Sequence, residues 1–93
     1  MKHYYVYILT NRHRTVLYTG VTSDIRQRLQ QHQSGHGSQF TSRYRVRVLL
    51  HLETFTNIRQ AIMREKQIKA WRRDKKLNLI RLSNPDLKDL SAE

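Results

Sequence analysis

The sequence predicts an α+β domain, in which a small, three-stranded, mainly antiparallel sheet is flanked by helices in the order β-β-α-β-α-α. Three observations carry that expectation. Two short apolar runs, YYVYILT and VLYTG, flank the polar turn NRHRT. Side-chain capping groups open two later segments with helical character. A third apolar run, VRVLLHLETF, separates the first helix from the others.

Residues 4–10 alternate, with Tyr5, Tyr7 and Leu9 on one face of a strand and Val6 and Ile8 on the other. Residues 11–15 form a basic connection, and residues 16–20 return antiparallel to the first strand. Ser23 and Asp24 offer N-cap oxygens for a helix over 25–33, which Gly35 stops. SGHGSQFTSRYR reads as a flexible loop by its glycines and serines. The third strand spans 46–55. Asn57 and Gln60 resemble a capping box opening a helix over 58–71. A second basic helix follows over 74–82. Residues 1–83 are expected to form one domain and 84–93 a short tail.

The chain has 93 residues, enough for one modest core. It has no cysteine, so neither disulfides nor thiolate metal sites are available. No apolar run approaches the ~20 residues of a membrane-spanning helix, and the first residues show no signal-peptide pattern. A cytoplasmic protein is expected. Eighteen Lys and Arg against seven Asp and Glu leave a formal charge of +11. Such an excess repels itself in the folded state, so an anionic partner is expected, nucleic acid first. No helix pairs a clean basic face with an aromatic-rich one, which argues against a membrane surface.

Four acids precede the tail: Asp24, Glu53, Glu65 and Asp74. Asp24 reads as a cap and Asp74 as a helix-start residue. Glu53 shares the parity of Leu49 and His51 and is free to pair with an arginine. Glu65 falls on the stripe marked by Ile58, Ala61, Ile62 and Ile68. A carboxylate on an inward face costs several kcal/mol of desolvation unless a cation or a hydrogen-bond network compensates it. Helix spacing alone leaves two accounts open, a buried salt bridge to an arginine or a metal ligand. In the first helix, Arg28 borders the stripe of Ile25 and Leu29, four residues before His32. An arginine so placed is most often a snorkelling surface residue, and a lone histidine is most often structural.

Together these residues resemble a GIY-YIG nuclease domain of the short, stand-alone bacterial type. Tyr5-Val6-Tyr7 matches the first motif element and Tyr18-Thr19-Gly20 the second. DIRQRLQQH places Arg28 on the family's catalytic arginine and His32 on its frequent histidine. AIMREKQIK places Glu65 on the metal-binding glutamate, and KKLNLI places Asn78 on the asparagine near the module's end. The first element lacks its namesake glycine, and Thr19 replaces isoleucine in the second. Val21 stands where some members carry a lysine, which leaves Tyr7 and Tyr18 as alternative bases.

The resemblance implies a Mg²⁺- or Mn²⁺-dependent endonuclease, most simply acting on DNA. Glu65 would hold the metal, and Arg28 would stabilise the pentacoordinate phosphate. Tyr7 or Tyr18 would orient or deprotonate water, with His32 contacting phosphate or assisting protonation and Asn78 positioning the site. Phenols suit the role because they bond water and phosphate without adding negative charge at neutral pH. Arg64, Lys66, Lys69, Arg72, Arg73, Lys75 and Lys76, helped by Arg12 and Arg14, are assigned to the nucleic-acid backbone. Trp71, beside Ile68, reads as core. Target choice must come from this domain or from a protein partner. The alternative is a nucleic-acid-binding module on the same scaffold with weak or no catalysis.

Overall fold

The computed structural model describes residues 1–35 and 39–91. Strands β1 (Tyr4–Thr10), β2 (Leu17–Thr22) and β3 (Val48–Phe55) form one antiparallel sheet in the order β2-β1-β3. Helices α1 (Ile25–Gln33), α2 (Gln39–Tyr44), α3 (Ile58–Lys69) and α4 (Arg73–Ser83) complete the order. The expected sequence of elements stands, with α2 added. That short helix lies in the segment expected to be loop, whose residues 36–38 fall outside the described part. Six residues among glycines and serines show too little periodicity to mark a helix. Tertiary contacts hold it, with Thr41 buried and its carbonyl accepting from the Val46 N–H at 3.0 Å.

β1 is the middle strand, paired along both edges, and helices cover both of its faces. Val6 and Ile8 pack with Leu50, Ala61, Ile68 and Ile80 beneath α3 and α4. Tyr7 and Leu9 pack with Val46, Leu49, Tyr18, Ile25 and Leu29 on the α1 side. A strand buried on both faces has no use for polar alternation, which is why YVYIL reads as a continuous apolar run. Removing one such side chain, as in Ile8→Ala, would cost about 2–5 kcal/mol.

Local chemistry fixes the helix starts. Asp24 accepts from the Gln27 N–H at 3.1 Å, and Asn57 accepts from the Arg59 and Gln60 N–H groups at 2.9 and 3.3 Å. α3 departs from its expected face. Ala61 and Ile68 are buried, but Ile58 and Ile62 are 49% and 37% exposed. The first turns of α3 overhang a groove rather than the core. Trp71 is half-buried against the core beneath α3 and α4, as expected.

The chain after α4 closes the edge of β3. The buried Asn84 amide donates to the Leu50 carbonyl at 3.1 Å. The Leu90 N–H donates to the Leu49 carbonyl at 2.8 Å, and Asp89 accepts from the Leu49 N–H at 3.1 Å. These bonds meet the strand where its register with β1 shifts between Ile8 and Leu9.

Candidate active site

The strand register explains why two tyrosines and a glycine stand together. Tyr7 of β1 lies opposite Gly20 of β2, and Leu9 lies opposite Tyr18. With a period of two, Tyr18 and Gly20 share the face of Tyr7. A β-carbon on Gly20 would overlap the Tyr7 hydroxyl and ring. The missing side chain therefore makes the space that the phenol occupies. The Tyr7 and Tyr18 ring centroids stand 6.4 Å apart.

α1 brings the third ring. Ile25 and Leu29 seat the helix on the Tyr7 face, which turns His32 inward until it is 1% exposed. Its centroid lies 6.0 Å from Tyr7 and 5.6 Å from Tyr18, and Nε2 stands 3.4 Å from the Tyr7 hydroxyl. Nδ1 of His32 has no hydrogen-bond partner among the described residues. Burial, and then the Arg28 guanidinium, push His32 below its ordinary pKa of 6.5. It is therefore a neutral imidazole at pH 7. Burial first, and Tyr18 second, hold the Tyr7 phenol well above its ordinary value, so Tyr7 rests protonated.

Arg28 and Glu65 both act electrostatically on Tyr7, in opposite directions. Arg28 lines a groove of about 340 Å³ with Lys2, Tyr4, Thr22, Ile58 and Ile62. Among the described residues its guanidinium has no ion pair and no hydrogen bond. Arg28 is half-buried and acts electrostatically on the Tyr7 phenol. Glu65 has a side chain 14% exposed, and among the described residues its one ionic partner is Lys69 at 3.3 Å. No arginine among the described residues pairs with it. The arginine-bridged carboxylate is instead Glu53, which accepts from Arg64 at 2.8 and 3.1 Å and contacts His51 Nε2 at 2.8 Å. Burial opposes its ionisation, yet the Arg64 and His51 contacts hold its pKa below the ordinary value.

Tyr7, Tyr18, Arg28, His32 and Glu65 thus come together from four elements. Asn78 is exposed on α4 and makes no side-chain hydrogen bond among the described residues. Among the described residues no three His, Asp or Glu side chains cluster as a closed metal cage. Glu65 fits the other kind of metal site, one carboxylate with water and phosphate completing the shell, as Mg²⁺ commonly takes.

The basic residues divide. Arg64 is held by Glu53, and Arg14 donates to the Leu87 and Arg12 carbonyls. Arg73 donates to the Thr15 and Arg14 carbonyls at 3.0 and 2.8 Å. Lys75 lies over the Trp71 ring, 4.5 Å from its centroid. Lys66 and Arg72 are exposed, as is Arg12, and Lys76 is half-exposed. Sequence reasoning gave no role to Phe40, Tyr44, Arg45 or Arg47. For Tyr44, Arg45 and Arg47 the signal was the alternation of arginine with apolar residues in RYRVR, and Phe40 carried none.

A family model described as the GIY-YIG catalytic domain matches residues 3–78. A UPF0213 protein of Syntrophus aciditrophicus is 45% identical over 83 residues, covering 88% of this chain and 93% of that relative. A UPF0213 protein of Staphylococcus haemolyticus is 36% identical over 80 residues, covering 86% of this chain and 96% of that one. The solution NMR structure of a UPF0213 protein from Bacillus halodurans shares the fold. Its TM-score is 0.59 at 32% identity, covering 98% of this chain and 99% of that one. No helix among the described residues is long and apolar enough to cross a membrane.

Proposed function

Because this chain belongs to the GIY-YIG nuclease family, we propose that it is a divalent-metal-dependent endonuclease hydrolysing phosphodiester bonds in DNA. One observation carries the reading. A buried tyrosine–histidine pair and a second tyrosine share one face of the sheet, within electrostatic reach of a partly buried carboxylate and of an arginine that is unpaired among the described residues. A core alone asks for none of these polar groups.

In this reading the scissile phosphate enters beside Arg28, whose guanidinium balances the charge that grows on the pentacoordinate phosphorus. Tyr7, held as a phenol by burial and directed by His32, orients the attacking water. Tyr18, less enclosed than Tyr7, is the alternative group to orient that water, and its oxygen takes the water's proton only after passing its own to solvent. His32 is neutral at rest and so is able to take a proton from Tyr7 or return one to the leaving oxygen. Glu65 would hold Mg²⁺ or Mn²⁺, which supplies charge neutralisation at the phosphate. Asn78 acts from α4 as a positioning residue for the bound chain. Arg12, Lys66, Arg72 and Lys76 contact phosphates in this reading, and a protein partner adds specificity where the domain itself has little.

The test is a cleavage assay on single-stranded, duplex and branched DNA and on RNA, with and without Mg²⁺ or Mn²⁺. The expected result is metal-dependent cleavage by the parent and none by Glu65→Ala. Binding without cleavage under every condition would make the chain a nucleic-acid-binding module instead.

A further inference from the structure

A second basic pocket lies at the opposite end of β1 from Lys2 and the Arg28 groove. It encloses about 500 Å³ and is lined chiefly by Arg12 and His13 of the β1–β2 hairpin and by Tyr44, Arg45 and Arg47 beyond α2. None of the described residues that line it is acidic. Among the described residues, the guanidiniums of Arg12, Arg45 and Arg47 make no ion pair and no hydrogen bond. Three cations converging without an anion repel one another, and a phosphate relieves that repulsion.

The backbone beneath the pocket is built rather than incidental. Arg45 holds the left-handed conformation at φ 54°, uncommon for a residue with a β-carbon. Buried Val46 follows it, and the Arg47 N–H is fixed to the Thr10 carbonyl at 3.0 Å. Arg45 and Arg47 therefore flank an anchored residue, and their side chains are aimed by the fold. Strain of this kind persists where the surroundings over-determine it, and it collects at binding sites.

An aromatic path joins the pocket to the candidate active site. Tyr18 stacks on Phe40 at 5.9 Å between centroids, and Phe40 meets Tyr44 at 4.8 Å. Phe40 and Tyr44 are 41% and 43% exposed. Exposed aromatic rings between two anion receptors suit a polymer that alternates anionic and flat apolar units.

We propose that this pocket is a second phosphate subsite, gripping a backbone phosphate of the nucleotide chain away from the scissile bond. Phe40 and Tyr44 support the sugar and base between the two phosphates. The proposal rests on the nuclease reading above and adds to it where the chain is anchored. It competes with the α3–α4 face, whose Arg64, Lys69 and Arg73 are already engaged within the protein.

The experiment measures binding of a fluorescein-labelled DNA oligonucleotide by anisotropy over a salt series, with EDTA present to prevent cleavage. The variant is Arg45→Gly with Arg47→Gln, because glycine suits the positive φ and glutamine keeps much of the side-chain length. The fold is checked by circular dichroism and by urea melting. The double variant is expected to bind at least ~10-fold more weakly. Losing one phosphate should flatten the slope of log K against log salt by about 0.7–0.9. In the cleavage assay KM should rise while kcat holds. Unchanged affinity and slope, with a loss instead in Lys66→Ala/Arg72→Ala/Lys76→Ala, would overturn the pocket and leave the nuclease reading standing. A parent protein that binds no oligonucleotide even at low salt would overturn both.

Discussion

The Tyr7 hydroxyl lies 3.4 Å from His32 Nε2, and both side chains are 1% exposed. A strand and a helix 25 residues apart in sequence have buried two polar groups against each other. Apolar side chains of similar volume would pack there without the desolvation, so the pair is better explained by chemistry than by stability.

The first prediction separates the two phenols. Tyr7→Phe and Tyr18→Phe each keep the ring and remove one hydroxyl. Tyr18→Phe should change stability by about 1 kcal/mol or less, whereas Tyr7→Phe leaves the buried His32 Nε2 without its partner and should cost about 1–3 kcal/mol. The hydroxyl that serves as base or orients the water should be worth at least ~10²-fold in cleavage rate. Single-turnover cleavage of a labelled DNA checks this. Two fully active variants would assign both rings to packing.

Gly20→Ala tests the space beside Tyr7. The new methyl meets the Tyr7 hydroxyl and ring, and such overpacking costs typically about 1–3 kcal/mol. Removing the hydroxyl as well, in Gly20→Ala/Tyr7→Phe, relieves one of the crowded contacts. The double variant should then be less destabilised than the sum of the singles. Urea melts of the four proteins give the coupling directly. A neutral Gly20→Ala would mean that the ring moves aside freely.

Strand and helix periods make legible in the sequence which residues share a face, while the site itself was expected from the family resemblance. A period of two puts Tyr7 and Tyr18 on neighbouring positions of one face, whereas Gly20, Arg28 and His32 entered the expected site only through the family resemblance. Asp24 and Asn57 announced their helices by capping. Other features depend on partners distant in sequence. α3 buries Ala61 and Ile68 while Ile58 and Ile62 overhang a groove, because the angle at which a helix crosses a sheet is a tertiary quantity. Arg14 and Arg73 looked like phosphate contacts, yet both donate to carbonyls that only the folded hairpin and tail place within reach. α2 is too short to show a period, and so the Phe40–Tyr44 contact was invisible.

The lowered pKa of His32 gives a stability profile with a definite sign. The folded chain resists a proton that the unfolded chain accepts at about 6.5. As pH falls from above 6.5 toward the folded value, the unfolded state binds more protons and stability declines. Above 6.5 this contribution is fully present. Denaturation midpoints from pH 8 to 5 should fall more steeply in the parent than in His32→Gln. Parallel profiles would show that His32 titrates alike in both states.

Glu65 offers the sharpest test, because two accounts of one carboxylate predict different energies. Had an arginine paired with it in the interior, Glu65→Gln would strand that cation and cost about 3–5 kcal/mol. The partner is Lys69, at 3.3 Å with a side chain 55% exposed, and such pairs contribute about 0.3–0.5 kcal/mol. The substitution also removes a charge that burial disfavours while nearly preserving shape. Without metal, the variant should therefore melt within about 0.5 kcal/mol of the parent. Saturating Mg²⁺ should separate them, because a ligand that binds only the folded state stabilises it by RT ln(1 + [L]/Kd), about 2.7 kcal/mol at one hundred times Kd. The parent should gain that stability, and Glu65→Gln should gain little of it. Denaturant melts of both proteins, in EDTA and across a Mg²⁺ series, supply all four numbers. Equal stabilisation of the two proteins would place the metal elsewhere, and a parent indifferent to Mg²⁺ would remove Glu65 from the role of ligand.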